Sequence, residues 1–307
     1  MSYNLIANCN LIKSIKVAEG NTKFKAVDNC LITMADILDS EGNVTMTAGT
    51  LVAGCRNSII PSDGTVTCIG DYAFAGQIYL TNITIPDCIT SIKTYVFSGC
   101  TGLTSIELPN ITEIDSSLFR GCSNLTSITI PENVTSIGAY AFYGCNKLPS
   151  ITIPENVTSI GAYAFHSCKE FTSITIPENV TSIGAYAFYN CLKLTSITIP
   201  GKVTNIEKYT FYGCNVLESV VISEGVTRIE DHAFHGCTGL TELTLATSVT
   251  QINAYAFQGC TNLTTVNHTP KTGGQWRYGS SVSSAASGST VSFARADYII
   301  KWLTSND

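Results

Sequence analysis

The twelve residues PENVTSIGAYAF occupy positions 131–142, and the same twelve letters return at 154–165 and at 177–188. A single compact enzyme domain has no physical reason to repeat a turn, a buried stripe and an aromatic anchor letter for letter. A chain that stacks one segment on itself does. Working outward from Phe142, the row is Phe74, Phe97, Phe119, Phe142, Phe165, Phe188, Phe211, Phe234 and Phe257, with a step of 23 residues and a single step of 22. Cysteines keep the same step at Cys100, Cys122, Cys145, Cys168, Cys191, Cys214, Cys237 and Cys260, and Gln77 takes the cysteine place in the first unit. Nine units therefore cover residues 63–268.

Each unit reads P-x-x-V-T-x-I-x-x-x-A-F-x-G-C-x-x-L-T-x-I-x-I. LTSITI at 125–130 sets apolar residues at Leu125, Ile128 and Ile130, the L-x-x-L-x-L spacing of a leucine-rich repeat strand. VTSI at 134–137 is a second short strand or extended segment on another face. Pro131 ends the first strand, because proline has no N–H to give the ladder. AYAF reads as one tight helical or 3₁₀ turn that carries Phe142 inward. One coil alone cannot bury its apolar stripe, so stacking makes the core.

The register AFYGCNKLPSITIPENVTSIGAYAF, repeated over residues 63–268, resembles the BspA-type (Treponema-type) leucine-rich repeat family of bacterial and protist surface proteins. The resemblance implies a right-handed solenoid with a parallel sheet on one face and short strands and 3₁₀ or helical turns on the others. Residues 1–62 are expected to hold partial and variant coils. CNLIKSIKV (9–17) repeats the end of a unit, and NCLI (29–32) and GTLVAGC (49–55) form a strand pair with DILDSEGNVTM (36–46) inserted between them. Residues 269–307 read as a linker and C-terminal cap. SSVSSAASGST (280–290) has a flexible composition, and the apolar spacing beyond Ser292 suits a short amphipathic helix near 293–304.

Bulk properties narrow the function. The chain has 307 residues, 44% of them hydrophobic and only 13% charged, so its surface polarity must come from Ser, Thr and Asn. A net charge of −6 supplies no basic stripe for nucleic acid and no polybasic membrane patch. No apolar run approaches the ~20 residues that span a bilayer. MSYNLIANCN lacks a basic and then apolar leader and begins inside a coil, which favours a leader absent from this chain.

Candidate chemistry is sparse. Stacked equivalent cysteines point the same way, so the eight periodic thiols read as a free, buried ladder, and Cys9, Cys30, Cys55, Cys68 and Cys88 could make at most one or two bridges. His166, His232, His235 and His268 do not converge as zinc requires. Glu132, Glu155 and Glu178, each followed by Asn, form an exposed column that could weigh as a weak Ca²⁺ site but reads as a solvated turn. No catalytic cluster, metal set or cofactor motif is present, and no enzyme is expected. Two surfaces remain. Tyr140, Tyr163, Tyr186 and Tyr209 form an aromatic column, with Tyr143, Tyr189 and Tyr212 beside it. Thr126, Thr129, Thr172, Thr175, Thr195 and Thr198 line the strand face. The resemblance implies a cell-surface or extracellular adhesin-like module for host matrix proteins, cell-surface proteins or glycans, monomeric and without membrane insertion. The alternative is a spacer that presents another domain.

Overall fold

A computed structural model describes residues 6–253, 255–268, 275–278 and 281–284. The expected helix near 293–304 lies outside the described residues. The chain divides into two compact units, Met1–Pro154 and Glu155–Asp307. Each is built from the coil read in the sequence.

In the first unit, Phe24–Val27 pairs antiparallel with Cys30–Thr33 through a two-residue loop. Asp28 and Asn29 hold that loop at φ 46° and 63°, the left-handed pair that a type I′ turn needs. Cys30–Thr33 then pairs antiparallel with Thr50–Ala53. The insertion between them is a hairpin of Ile37–Leu38 and Val44–Met46. The Asp39 carboxylate closes it by accepting from the N–H groups of Glu41 and Asn43, which lowers its pKa. Thr50–Ala53 opens the parallel stack, running through Cys68–Ile69 to Ser91–Ile92. Ser105–Glu107 pairs parallel with Ser127–Thr129, and Glu113–Ile114 with Ser136–Ile137.

The second unit repeats the two rows. Ser196–Ile199, Ser219–Ile222, Glu242–Leu245 and Thr265–His268 form one parallel row. Asn205–Ile206, Arg228–Ile229 and Gln251–Ile252 form the other. Gln275–Tyr278 joins that second row and turns back antiparallel onto Ser281–Ser284.

Alternation explains which side faces in. In SITI (196–199) Ile197 and Ile199 are buried while Ser196 and Thr198 are exposed. The phenylalanines fill the centre. Phe74, Phe97, Phe119 and Phe142 stack 5.5–5.7 Å apart in the first unit, and Phe165, Phe188, Phe211, Phe234 and Phe257 stack 5.1–5.3 Å apart in the second.

The tight turn over AYAF is a run of hydrogen-bonded turns, and no described residue lies in a helix. Its tyrosine is the reason. Tyr140, Tyr163, Tyr186 and Tyr209 all stand at φ 59–61°, a left-handed conformation that a right-handed helix cannot accommodate. The turns are instead tied coil to coil. Tyr186 N–H donates to the Lys208 carbonyl, Phe188 to Thr210 and Asn190 to Tyr212, each one coil ahead. At the residue leading into each strand the direction is reversed. Thr126 N–H donates to Thr104, and Thr181 N–H to Thr158, each one coil behind.

Candidate functional site

Tyrosine is a costly choice for a left-handed position, so its recurrence needs a return. The return is stacking. Tyr72 lies 4.6 Å from Tyr95 at 7°; Tyr163 lies 4.5 Å from Tyr186 at 4°; and Tyr186 lies 4.7 Å from Tyr209 at 10°. The second column runs beside the first. His166, Tyr189, Tyr212 and His235 stack at 4.7–4.8 Å, and Tyr186 meets Tyr189 at 5.7 Å. In the first unit Ser117 interrupts the column, and Tyr140 leans on Tyr143 at 5.8 Å. The columns are half-buried, with ring faces spent on one another. They therefore offer a partner ring edges and hydroxyls, not open faces for a sugar.

Valine at Tyr186 is expected to destabilise more than asparagine there. Both lose the two stacked contacts, each worth about 0.5–1.5 kcal/mol. Only valine adds a β-branched side chain at φ 61°, a further cost of roughly 1–2 kcal/mol. Urea unfolding of Tyr186→Val and Tyr186→Asn reads the difference directly, and equal stability would contradict it.

The six strand-face threonines divide into two kinds. Thr126 Oγ1 donates to the Thr104 carbonyl at 3.0 Å and Thr195 Oγ1 to Thr172 at 3.4 Å, so this position ties coils together. Thr172 belongs to that inner tie as the acceptor. Thr129, Thr175 and Thr198 are exposed, and their hydroxyls have no hydrogen-bond partner among the described residues. Both sets are exposed, and the second keeps its hydroxyl hydrogens unspent. A second row of ties runs along the other strands, as in Thr181 Oγ1 to Thr158 at 3.0 Å.

None of the thirteen cysteines is in a disulfide, so none of the bridges left open by the spacing forms. The periodic thiols are not only fillers. Cys100 Sγ donates to the Phe74 carbonyl at 3.1 Å, Cys122 to Phe97 at 3.1 Å and Cys214 to Phe188 at 3.2 Å. Each thiol thus adds a second donor to a buried carbonyl of the coil behind it, which already accepts from the backbone N–H three residues on. Burial pushes Cys100 and Cys214 up to about 12 and Cys122, Cys191 and Cys237 well above the usual thiol range. None is poised as a nucleophile.

The remaining candidates do not assemble. Glu132, Glu155 and Glu178 are exposed. The amides beside them are already engaged, with Asn133 Nδ2 donating to Asn110 Oδ1 at 2.7 Å and Asn179 Oδ1 accepting from Lys202 Nζ at 2.8 Å. His232 and His235 meet at 5.4 Å as members of the aromatic columns, and burial lowers the pKa of His166 and His232. Among the described residues no group of three or more His, Cys, Asp or Glu could hold a metal ion. The described residues contain no helix long and apolar enough to cross a membrane.

A coil of this register, with its buried phenylalanine, its carbonyl-capping cysteine and two parallel strand rows, matches the family model described as BspA type leucine rich repeat region. It does so in six copies, over residues 53–170 and 135–264. The chain belongs to the BspA-type leucine-rich repeat family. A leucine-rich repeat protein from Eubacterium ventriosum is 29% identical, with a TM-score of 0.54; the match covers 66% of this chain and 59% of that one. This BspA-type chain thus spans less than two thirds of that protein's length. A leucine-rich repeat protein from Bacteroides ovatus is 22% identical over 83% of this chain and 89% of its own, with a TM-score of 0.42. The T. pallidum leucine-rich repeat protein is 22% identical over 74% of this chain and 91% of its own, with a TM-score of 0.45. No curated protein matches the chain.

Proposed function

We propose that this BspA-type chain is an adhesin-like binding module, displayed on a cell surface or secreted, that takes a protein or glycan of a host or neighbouring cell on its strand face. One observation carries the reading: Thr175 and Thr198 present unpartnered hydroxyls on an exposed face, beside the exposed Ser173 and Ser196. A row of uncharged donors and acceptors at coil spacing recognises backbone amides or sugar hydroxyls without the desolvation penalty of charges. The tyrosine columns add ring edges and hydroxyls as a second contact surface.

The full chain is screened on immobilised fibronectin, fibrinogen, collagen, laminin and a glycan array at physiological salt. The Thr175→Ala/Thr198→Ala variant is expected to weaken a saturable hit at least about tenfold, or ~1.4 kcal/mol, with an unchanged melting temperature. Loss on Tyr163→Ala/Tyr186→Ala alone would move the contact to the aromatic columns. Silence across the screen would leave the coils as a spacer for another domain.

A further inference from the structure

In the first unit the strand row is unpaired on both sides of residues 82–86, and on the side of residues 56–60 it opens into a cleft. Coil equivalence sets Ile60-Pro61 under Ile85-Pro86, and both isoleucines are buried as the pattern requires. Residues 56–60 and 82–86 therefore run in the same direction as neighbours in the row. A regular neighbour pair is hydrogen-bonded, as Ser105–Glu107 is to Ser127–Thr129. Here the backbone N–H groups of residues 82–85 have no partner among the described residues, and neither segment is a strand. Between them lies a cleft of about 770 Å³, within the ~300–1,000 Å³ range of ligand pockets. Cys88 Sγ reaches the Pro61 carbonyl at 3.8 Å and the Val66 carbonyl at 3.5 Å, tying the two segments beyond the cleft.

The lining departs from the uncharged coil. Ile59 stands where later coils carry an outward threonine, and it is 70% exposed. Arg56 enters at the N-terminal end of the lower segment, its guanidinium 5.7 Å from the Tyr79 ring. Asp87 follows Pro86 at the C-terminal end of the upper one. Both line the cleft, and neither forms an ion pair among the described residues.

We propose that this cleft docks an extended peptide as an added parallel strand between residues 56–60 and 82–86, with an acidic residue at its N-terminal end beside Arg56 and a basic one at its C-terminal end beside Asp87. Main-chain pairing with the open N–H groups gives affinity, and an apolar side chain packs on Ile59. The charges at the two ends fix direction. This site lies in the first unit and uses none of the hydroxyls of the proposed strand-face contact, so either can fail without the other.

The test is calorimetric titration of the full chain with two acetylated, amidated hexapeptides of equal composition. Glu-Val-Thr-Val-Thr-Lys is expected to bind saturably, and Lys-Val-Thr-Val-Thr-Glu at least about tenfold more weakly. The variant Arg56→Glu/Asp87→Lys is expected to reverse that preference while its circular dichroism spectrum stays the same. Equal binding of the two peptides, no binding of either, or an unreversed preference in the variant overturns the proposal. A chain that dimerises on sedimentation and becomes monomeric with peptide would reassign the cleft to a second copy.

Discussion

Above pH 9 the chain is expected to lose stability faster than an ordinary domain of its size. The cause is the cysteine ladder. A thiol is neutral when protonated, and burial away from water disfavours the thiolate. Cys100 and Cys214 are thereby raised from 9.0 to about 12, and Cys122, Cys191 and Cys237 well above 9.0. For a group whose folded pKa is raised, the stabilisation is fully present below the unfolded pKa. It is then lost as pH rises toward the folded one. Each thiol costs about 1.4 kcal/mol per pH unit across that window. For Cys100 and Cys214 together, two pH units above 9 remove roughly 5 kcal/mol, a large share of what most domains have, and Cys122, Cys191 and Cys237 act in the same direction. Tyr186 and Tyr189 are also raised, by burial first, and act in the same direction. Thermal melts from pH 8 to 11 measure the slope, and Cys191→Ala/Cys214→Ala should flatten it by about two thiols' worth. A melting temperature constant across that range would refute the ladder's role.

Phe211→Ala is expected to be the most damaging single truncation in the second unit. The ring is fully buried and stacked between Phe188 at 5.3 Å and Phe234 at 5.1 Å. Removing a buried phenylalanine costs about 3–5 kcal/mol in lost transfer energy and cavity. At about 2–4 °C per kcal/mol for a unit near 150 residues, the melting temperature should fall by roughly 6–20 °C. Each coil touches only its neighbours, so the fault interrupts the column in both directions. Phe211→Leu refills much of the space and should recover more than half of the loss. Circular dichroism melts of the two variants decide it, and a loss under about 1 kcal/mol for alanine would show that the neighbouring rings close over the gap.

The strand rows and the phenylalanine core were legible because their signals are periodic. LTSITI alternates, proline stops it, and Phe142 returns every 23 residues. DILDSEGNVTM was visible as an inserted loop, while the hairpin it forms was not. The left-handed tyrosines were not, since tyrosine carries no left-handed preference and its stacking partner lies a coil away. A neighbouring clue existed in the turn glycines, where Ser167 and Asn190 replace glycine at φ 58° and 55°. The division of the threonines into ties and free hydroxyls also needed the structure, because Thr126 and Thr129 have the same chemistry in the same strand. The thiol donors were half legible. Burial followed from spacing, whereas an acceptor 26 residues back in Cys214 and Phe188 follows only from the stack. The open cleft was hidden for a different reason. Its sign is a set of bonds not made, and Ile59 alone looks like an ordinary strand residue.

The opposed directions of the coil-to-coil bonds have an electrical consequence. In an α-helix every peptide dipole adds to the same macrodipole, and the ends gather partial charge. Here Tyr186, Phe188 and Asn190 donate forward while Thr126 and Thr181 donate backward. The turn peptides therefore all point one way along each stack, as in a helix, whereas the peptides of a parallel strand alternate in direction and add little. Adding a coil lengthens the turn line but leaves the partial charge at each of its ends about the same, because that charge sits on the unpaired terminal groups. Duplication of a coil such as PENVTSIGAYAF thereby moves the two end charges apart without enlarging them.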